Sequence, residues 1–283
     1  MLGRIIHDTQ DVYINGERLR GVQTCETGWA GPASYINAVG VQGGFVGSTV
    51  EESLQANFDV QRLMITPHDP LITLFDRTDV SGEISYGDSE TFSFNTAFIN
   101  SYSSSCQIGA IPSLDFGLTA YGDSGSSVPK MAQTPELDDT VIIAMPGSMV
   151  LDVDGYDTNR VQSFDFSITV DRDPINIIGQ LHPHNFLIKY PIQVDCRFVI
   201  HVDDYESTNL WRYACSPKEQ NLNLIFKDCS RDVEVRKFYM PAARLLEYSQ
   251  SGNINTDLEA TLTYKSLLTD IKDIEKVLKG IAF

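Results

Sequence analysis

The sequence has few cysteines, no long apolar run and few basic residues. Its five cysteines are an odd number, and no two of them form a C-x-x-C pair. This spacing favours reduced thiols over a disulfide framework. No stretch approaches the roughly 18 consecutive apolar residues of a membrane helix, and the start MLGRIIHDTQDVY lacks the apolar segment of a signal peptide. We therefore expect synthesis in the cytoplasm and no membrane partner.

Basic charge is scarce along the whole chain. There are 38 acidic residues and 21 lysines and arginines among 283 residues, which gives a net charge of -17, and acids exceed bases in both halves. Such a surface offers no basic stripe to a phosphate backbone, which argues against tight or sequence-specific nucleic-acid binding. It still suits a surface past which DNA must slide without sticking.

Two short motifs resemble parts of a catalytic or a phosphate-binding site, and neither is complete. Gly122 to Gly125 spells GDSG, the letters that surround the nucleophilic serine of trypsin-like proteases. Neither His7 nor His68, the histidines that precede Ser124, has the sequence context that such a site needs. The stretch GVQGGFVGST at 40–49 lacks the lysine of a phosphate-binding loop. We interpret both stretches as loops.

The histidines and cysteines do not have the spacing of a metal site either. The histidines and cysteines that could be grouped are His182, His184, His201, Cys196 and Cys215, and no two of them have the spacing of a zinc site. We therefore predict no catalytic, cofactor-binding or metal site, no cofactor, and a structural rather than an enzymatic role.

Alternating apolar and polar residues predict a mainly β fold. SFDFSITVD at 163–171 and DLEATLTYKS at 257–266 alternate with the period of two that is typical of half-buried strands. Asn15-Gly16, between apolar flanks, predicts a tight hairpin across Val12 to Gln23, because both turn residues must adopt positive φ.

Helical periodicity is confined to a few segments. Apolar residues recur at intervals of three and four from Leu267 to Ile281, which predicts an amphipathic C-terminal helix. ESTNLWRYAC at 206–215 and PAARLLEY at 241–248 indicate two shorter helices. Together these patterns favour β-sandwich or barrel domains with short flanking helices.

The sequence repeats a pattern at a shift of 139 residues. VYINGERLRGVQT at 12–24 matches LDVDGYDTNRVQS at 151–163, and the match continues without a gap. The identical pairs are Gly16/Gly155, Val22/Val161, Gln23/Gln162, Ile36/Ile175, Asn37/Asn176 and Gly40/Gly179. SLDFGLT at 113–119 then matches DLEATLT at 257–263, a shift of 144. We interpret the chain as two tandem copies of one β-domain, 1–121 and 140–265, with a linker at 122–139 and a C-terminal helix at 266–283.

The repeated pattern resembles the opening of bacteriophage tail tube proteins. The resemblance rests on a hairpin of the form V-x-I-N-G-x-x-L-x-G-V-Q, then an amphipathic strand and P-I-N-x-I-G. These are read from VYINGERLRGVQT and from VQSFDFSITVDRDPINIIGQ at 161–180. SGNINTDLEATLTYKS at 251–266 is similar to that family's last strand.

The resemblance implies a structural virion protein of the phage tail. Each copy would be a small tube-like β-sandwich or barrel, and subunits would join edge to edge into rings that stack into a tube with an acidic lumen for DNA ejection. Two fused copies predict a trimeric ring with pseudo-sixfold symmetry, and a hexameric ring with one copy facing outward is the alternative. Sheath, baseplate and tail-terminator proteins are the further partners that the resemblance implies, and DNA would only pass through.

Two other functions are compatible with these residues. A baseplate hub or tail-completion protein also uses tube-like domains in a pseudo-sixfold arrangement. A β-sandwich receptor-binding or carbohydrate-binding module would need a cluster of exposed aromatic residues, for which Trp29 and Trp211 are the tryptophan candidates.

Overall fold

A computed structural model shows a mainly β protein, as the alternation predicts. It describes residues 10–30, 33–37, 45–50, 55–64, 69–86, 90–122, 124–125, 148–153, 156–178, 180, 182–202, 219–228, 233–252 and 258–281. Within these ranges lie nineteen strands, one 3-10 helix and one α-helix.

Ten strands come from the amino-terminal part of the chain. They are β1 (Gln10–Ile14), β2 (Glu17–Arg18), β3 (Val22–Ala30), β4 (Ala33–Asn37), β5 (Phe45–Val50), β6 (Gln55–Leu63), β7 (Val80–Tyr86), β8 (Glu90–Gln107), β9 (Ser113–Ala120) and β10 (Ser124–Gly125). The 3-10 helix, Pro70–Leu74, lies between β6 and β7. β1 and β2 form the predicted hairpin, and its turn residues Asn15 and Gly16 have φ of 50° and 81°.

Nine strands and the α-helix come from the carboxy-terminal part. They are β11 (Met149–Val153), β12 (Tyr156–Thr158), β13 (Val161–Thr169), β14 (Arg172–Ile175), β15 (Asn185–Ile188), β16 (Ile192–Val202), β17 (Gln220–Asp228), β18 (Val233–Ser251), β19 (Leu258–Leu268) and, after them, α1 (Asp273–Lys279).

The strands of the two parts pair in the same order. In the amino-terminal module, which we define as β1 to β9, the order is β2, β1, β7, β8, β9, β6, β3. In the carboxy-terminal module, β11 to β19, it is β12, β11, β17, β18, β19, β16, β13. The hairpins β4–β5 and β14–β15 stand apart from the main sheet and follow equivalent strands along the chain.

Irregularities in the strand pairing recur at equivalent places in the two modules. A bulge bends and twists a strand locally, so bulges at the same places give the two sheets similar bends. The equivalent pairs are Val22/Thr24 and Val161/Ser163, Val80/Gly82 and Gln220/Leu222, and Ile99/Ser101 and Leu245/Glu247.

The strand register aligns the last strands of the two modules, β9 and β19, with a different shift from the one that the sequence match gives. The relevant Cα pairs are Val22 with Arg62 and Arg62 with Leu114, against Val161 with Ile200 and Ile200 with Ala260. Leu114 therefore corresponds to Ala260, at a shift of 146 instead of the 144 read from the sequence. A slip of two residues keeps every side chain on its own face, so alternation alone gives no sign of it.

The predicted helices differ from the observed ones. PAARLLEY is not a helix: it lies within β18, which pairs with β17 and β19. At the carboxy-terminal end, strand β19 continues to Leu268, so α1 begins at Asp273 and is shorter than the predicted helix at 266–283. Its buried residues Ile274, Val277 and Leu278 pack against β18 and the 3-10 helix. ESTNLWRYAC lies outside the described residues.

The apolar faces of both modules contribute to one hydrophobic core. Aromatic rings from different strands meet in it: the Phe166 and Phe238 centroids are 4.8 Å apart, and those of Phe58 and Phe94 are 4.5 Å apart. Burial of these rings contributes much of the free energy of folding, because each removes a large apolar area from water.

Candidate assembly interface

A strand pairing joins the two modules. β13 of the carboxy-terminal module runs antiparallel to the second half of β8, from Ser163 opposite Gln107 to Thr169 opposite Ser101. The first half of β8 pairs with β7 on the same edge, and β9 occupies the other edge. The main sheet therefore continues from one module into the other through an edge that β8 would otherwise expose.

The inner face of this junction is buried. On β13 and β8 the side chains that face the core are at most 6% exposed, so the two modules share a dry contact. They are Phe164, Phe166 and Ile168 on β13, and Tyr102, Ser104 and Cys106 on β8. Antiparallel strands of this kind stabilise each other through backbone hydrogen bonds and through such cross-strand pairs.

The opposite face of the sheet is polar and acidic. Eight strands share it in the order β3, β6, β9, β8, β13, β16, β19, β18. By register and alternation, its described acidic residues are Glu26, Asp59, Asp115, Asp165, Asp195, Glu247 and Glu259, and its described lysines and arginines are Arg197, Arg244 and Lys265. We call this surface the acidic face. Partial burial raises the pKa of Asp115.

A buried ionic cluster lies behind the junction. Asp69 caps the 3-10 helix by accepting a hydrogen bond from the Leu71 N–H at 3.1 Å. Its carboxylate also forms an ion pair with Arg62 and accepts a hydrogen bond of 2.9 Å from the Tyr102 hydroxyl. Arg236, from β18 of the other module, reaches the same carboxylate at 3.9 Å and donates to the Tyr102 oxygen at 3.5 Å. The cluster therefore links the two modules.

The environment of Asp69 favours its ionised form. Burial by itself raises the pKa of this carboxyl, but the charges of Arg62 and Arg236, with the two hydrogen bonds, outweigh burial and hold the pKa below its usual value. Burial and the neighbouring Asp69 charge raise the pKa of Tyr102, so its hydroxyl stays protonated and donates. Asp69 thus stays charged in the folded protein at neutral pH.

The hairpin β14–β15 of the carboxy-terminal module packs on the amino-terminal module. Arg172 donates to the Phe75 carbonyl at 2.7 Å, and its guanidinium lies 4.7 Å from the ring centroid of Phe98. Phe186 packs edge-on against Phe98 at 4.6 Å and against Tyr121 at 4.4 Å. The hairpin is thus a second contact between modules, beside the strand pairing.

The motifs weighed for catalysis do not form a described site. Ser124 lies in β10, where it pairs with Phe94 of β8, so the first residues of the predicted linker extend the sheet. His7 and His68, its candidate partners, lie outside the described residues, as does most of 122–139. In the stretch 40–49, residues from Phe45 onward form β5, and the rest is outside the described ranges.

The metal-ligating candidates are not brought together where they are described. Across the described ranges, no group of three or more His, Cys, Asp or Glu side chains could hold a metal ion. Cys196 is in the core, where burial raises its thiol pKa, and Cys215 lies outside the described residues. In the same part of the chain, no helix has both the length and the apolar character to cross a membrane.

Sequence reasoning did not find the ionic cluster or the junction. The cluster brings together residues 7 to 174 positions apart on three strands and a loop, and none of them belongs to a recognisable motif. The two-residue alternation of β13 was visible, but alternation does not say which strands are neighbours.

Comparisons with known proteins identify the family. A family model described as "Phage tail tube protein" matches residues 15–200, which is more than half of the 283 residues. Among solved structures, Hcp1 from Flavobacterium johnsoniae is similar at 13% identity, over 42% of this chain and 93% of that one, with a TM-score of 0.28 too low to add to the assignment. No curated protein matches. On the family match, the chain belongs to the phage tail tube proteins.

Proposed function

We propose that this chain is the subunit of a phage tail tube, with a structural and non-enzymatic role in the virion tail. In this proposal three chains form a ring, the rings stack into a hollow tube, and DNA passes through the lumen. The observation that carries the proposal is the β13–β8 junction, in which one module is added to the next through sheet edges. The family match over residues 15–200 supports the same role.

We infer the number of chains from the two modules, on the expectation that one ring contains six modules. Each chain supplies two sets of strands with the same pairing order, and we infer that they are two copies of one β-domain, near 1–121 and 140–265. Three chains then supply six modules and give pseudo-sixfold symmetry. A head-to-tail contact of this kind forms a closed ring if its rotation closes, and a filament if it does not.

The acidic face is our candidate for the wall of the lumen. Its described residues include seven acids and three lysines or arginines on a continuous surface of eight strands. Like charge repels the DNA backbone, so a wall of this composition lets DNA move without sticking. Lys265 and Asp195 form an ion pair on this face, with 3.7 Å between their charged atoms, and the excess of acids remains after it.

Electron microscopy of the purified protein tests the proposal. We expect rings with threefold or pseudo-sixfold symmetry, and stacks of rings at high protein concentration. A helical reconstruction should place Asp165 and Asp195 on the inner wall. A protein that sediments as a monomer at every concentration would contradict the proposal, and rings that never stack would favour a hub or tail-completion role.

A further inference from the structure

We propose that the junction between chains repeats the junction inside the chain. In it, β3 of one molecule pairs with β18 of the next molecule, along the part of β18 that follows Ala243. This inference rests on the proposed function, because it names the contact by which the ring would close. It assigns a register, and therefore individual residue contacts, to that contact.

The internal junction supplies the template. β13 pairs on one side with β16 and on the other with β8. Its counterpart β3 pairs with β6, and no described strand lies on its other side. One edge of β8 pairs with β7 up to Ala97 and with β13 from Ser101 onward. The equivalent edge of β18 pairs with β17 up to Ala243, and no described strand pairs with it beyond that residue. β3 and this part of β18 therefore correspond to the two strands of the internal junction, but they are not paired with each other in the chain.

The two leftover edges do not pair with each other in the described structure. β3 and β18 lie at the two ends of the eight-strand acidic face, so seven strand spacings of about 4.8 Å separate them, roughly 34 Å measured along the sheet. An exposed edge of backbone N–H and C=O groups is a site for pairing with another chain. The partner that fits each edge is a second copy of this chain, because the complementary edge is on the same molecule.

The register follows from the equivalent bulges. β13 corresponds to β3 at a shift of 139, and the bulges Ile99/Ser101 and Leu245/Glu247 relate β8 to β18 at a shift of 146. The internal pair Ser167–Ser103 then becomes Gly28 opposite Ser249. The proposed pairs that involve only described residues are Cys25 with Gly252, Glu26 with Ser251, Thr27 with Gln250, Gly28 with Ser249, Trp29 with Tyr248, and Ala30 with Glu247.

This register suits the side chains that it brings together. No pair in it places two like charges opposite each other, an arrangement that destabilises antiparallel strands. A slip of four residues would place Glu26 opposite Glu247, so charge disfavours that alternative. The pairing also continues the acidic face from one chain to the next, because Glu26 and Ser251 both lie on it.

A hairpin contact accompanies the strand pairing in the template and is expected between chains as well. Inside the chain, β14–β15 covers Phe98 and Tyr121. At a shift of 146, Phe98 corresponds to Arg244 and Tyr121 corresponds to Leu267, which is 54% exposed. The hairpin that corresponds to β14–β15 is β4–β5, so we place β4–β5 of the neighbouring chain over Leu267.

Cysteine cross-linking of the full-length protein tests the register. Two double variants, Gly28→Cys with Ser249→Cys and Thr27→Cys with Gln250→Cys, each place thiols on directly opposite residues. Neighbouring antiparallel pairs alternate between two geometries, so the two variants sample both. The control, Glu26→Cys with Glu247→Cys, is four residues out of register. A Cβ on Gly28 would meet no atom within 4 Å, so that change fits the folded chain.

We expect at least one in-register variant to form covalent oligomers on mild oxidation, seen as a ladder on non-reducing gels that ends at three chains. The single-cysteine variants and the control should stay at the level of the unmodified protein. If microscopy shows rings or tubes but neither in-register pair cross-links, or the control links instead, the register is wrong while the tube function stands. If the unmodified protein forms no assembly, both fall together.

Discussion

Replacing Asp69 with asparagine tests the role of the buried ionic cluster. The side chains of Arg62 and Asp69 are 2% exposed and that of Arg236 is 8% exposed. Asp69→Asn keeps the size of the side chain but removes the negative charge that both guanidinium groups share. Both arginines would then lose the carboxylate of Asp69 as a counter-charge.

The expected loss of stability is large. Removing one partner of a buried ion pair typically costs about 3–5 kcal/mol, because the remaining charge stays out of water without compensation. With an m-value of about 3 kcal/mol/M for a chain of this size, the urea midpoint should fall by about 1 to 1.7 M. Because Arg236 belongs to the other module, the loss should appear in the unfolding of both modules together.

The effect should also depend on pH. The pKa of Asp69 is lowered in the folded protein, so its contribution to the free energy of unfolding is complete above the unfolded-state pKa of about 3.9. The contribution is lost as the pH falls from there through the folded-state pKa. The difference in urea midpoint between the natural protein and Asp69→Asn should therefore be constant from pH 8 to about pH 5 and shrink below about pH 4.

Asp79→Asn is the matched control. Asp79 pairs with Arg77 at 2.8 Å, but its side chain is 68% exposed, and an exposed pair of this kind contributes little to stability. Both variants are compared by urea unfolding, followed by circular dichroism at a concentration below that of assembly. If Asp69→Asn shifts the midpoint no more than Asp79→Asn does, the cluster does not stabilise the fold as argued.

Three further outcomes follow from the described contacts. Gly82→Ala should cost about 1–3 kcal/mol in thermal unfolding, since a Cβ there would lie 2.2 Å from the Phe94 ring, whereas Gly28→Ala meets no atom within 4 Å and should cost far less. Phe186→Ala should lower stability by about 3 kcal/mol, because this 8% exposed ring packs against two aromatic neighbours. Burial raises the pKa of Cys25 to about 12, so iodoacetamide at pH 8 should alkylate it only after unfolding, as mass spectrometry would show.

Local patterns predicted the strands well where one residue type decides the backbone. Asn15-Gly16 needed positive φ at both positions, and the structure has it. The alternation at 163–171 identified β13, because one face of that strand is in the core and the other is in solvent. These features depend on neighbouring residues only, so the sequence contains the information.

Local helix propensity gave a wrong prediction at a segment whose structure is decided by tertiary contacts. PAARLLEY is rich in helix formers, but it is strand because Ala243 pairs with β17 and is buried, and Arg244 to Tyr248 pair with β19 along one edge. Helix propensity amounts to a few tenths of a kcal/mol per residue, so pairing and burial outweigh it. β3 likewise runs through Gly28 to Ala30, although glycine weakens a strand interior, because β6 pairs with it throughout.

The repeated order of strands could not be read from the sequence in full. The shift of 139 was visible near Val22 and Val161, but the later offset depended on register, which only the strand partners fix. The ionic cluster was invisible for a related reason: Arg236 is 167 residues from Asp69 in the chain, and single charged residues give no sign of a distant partner.

In the proposed ring, α1 would mark every second module. This helix follows the carboxy-terminal module, and no helix follows β9 in the described residues of the amino-terminal module. In a ring of three chains it would therefore recur every 120° rather than every 60°. A ring whose strands look sixfold would then present a threefold set of helices, and a partner could distinguish alternate modules by contacting them.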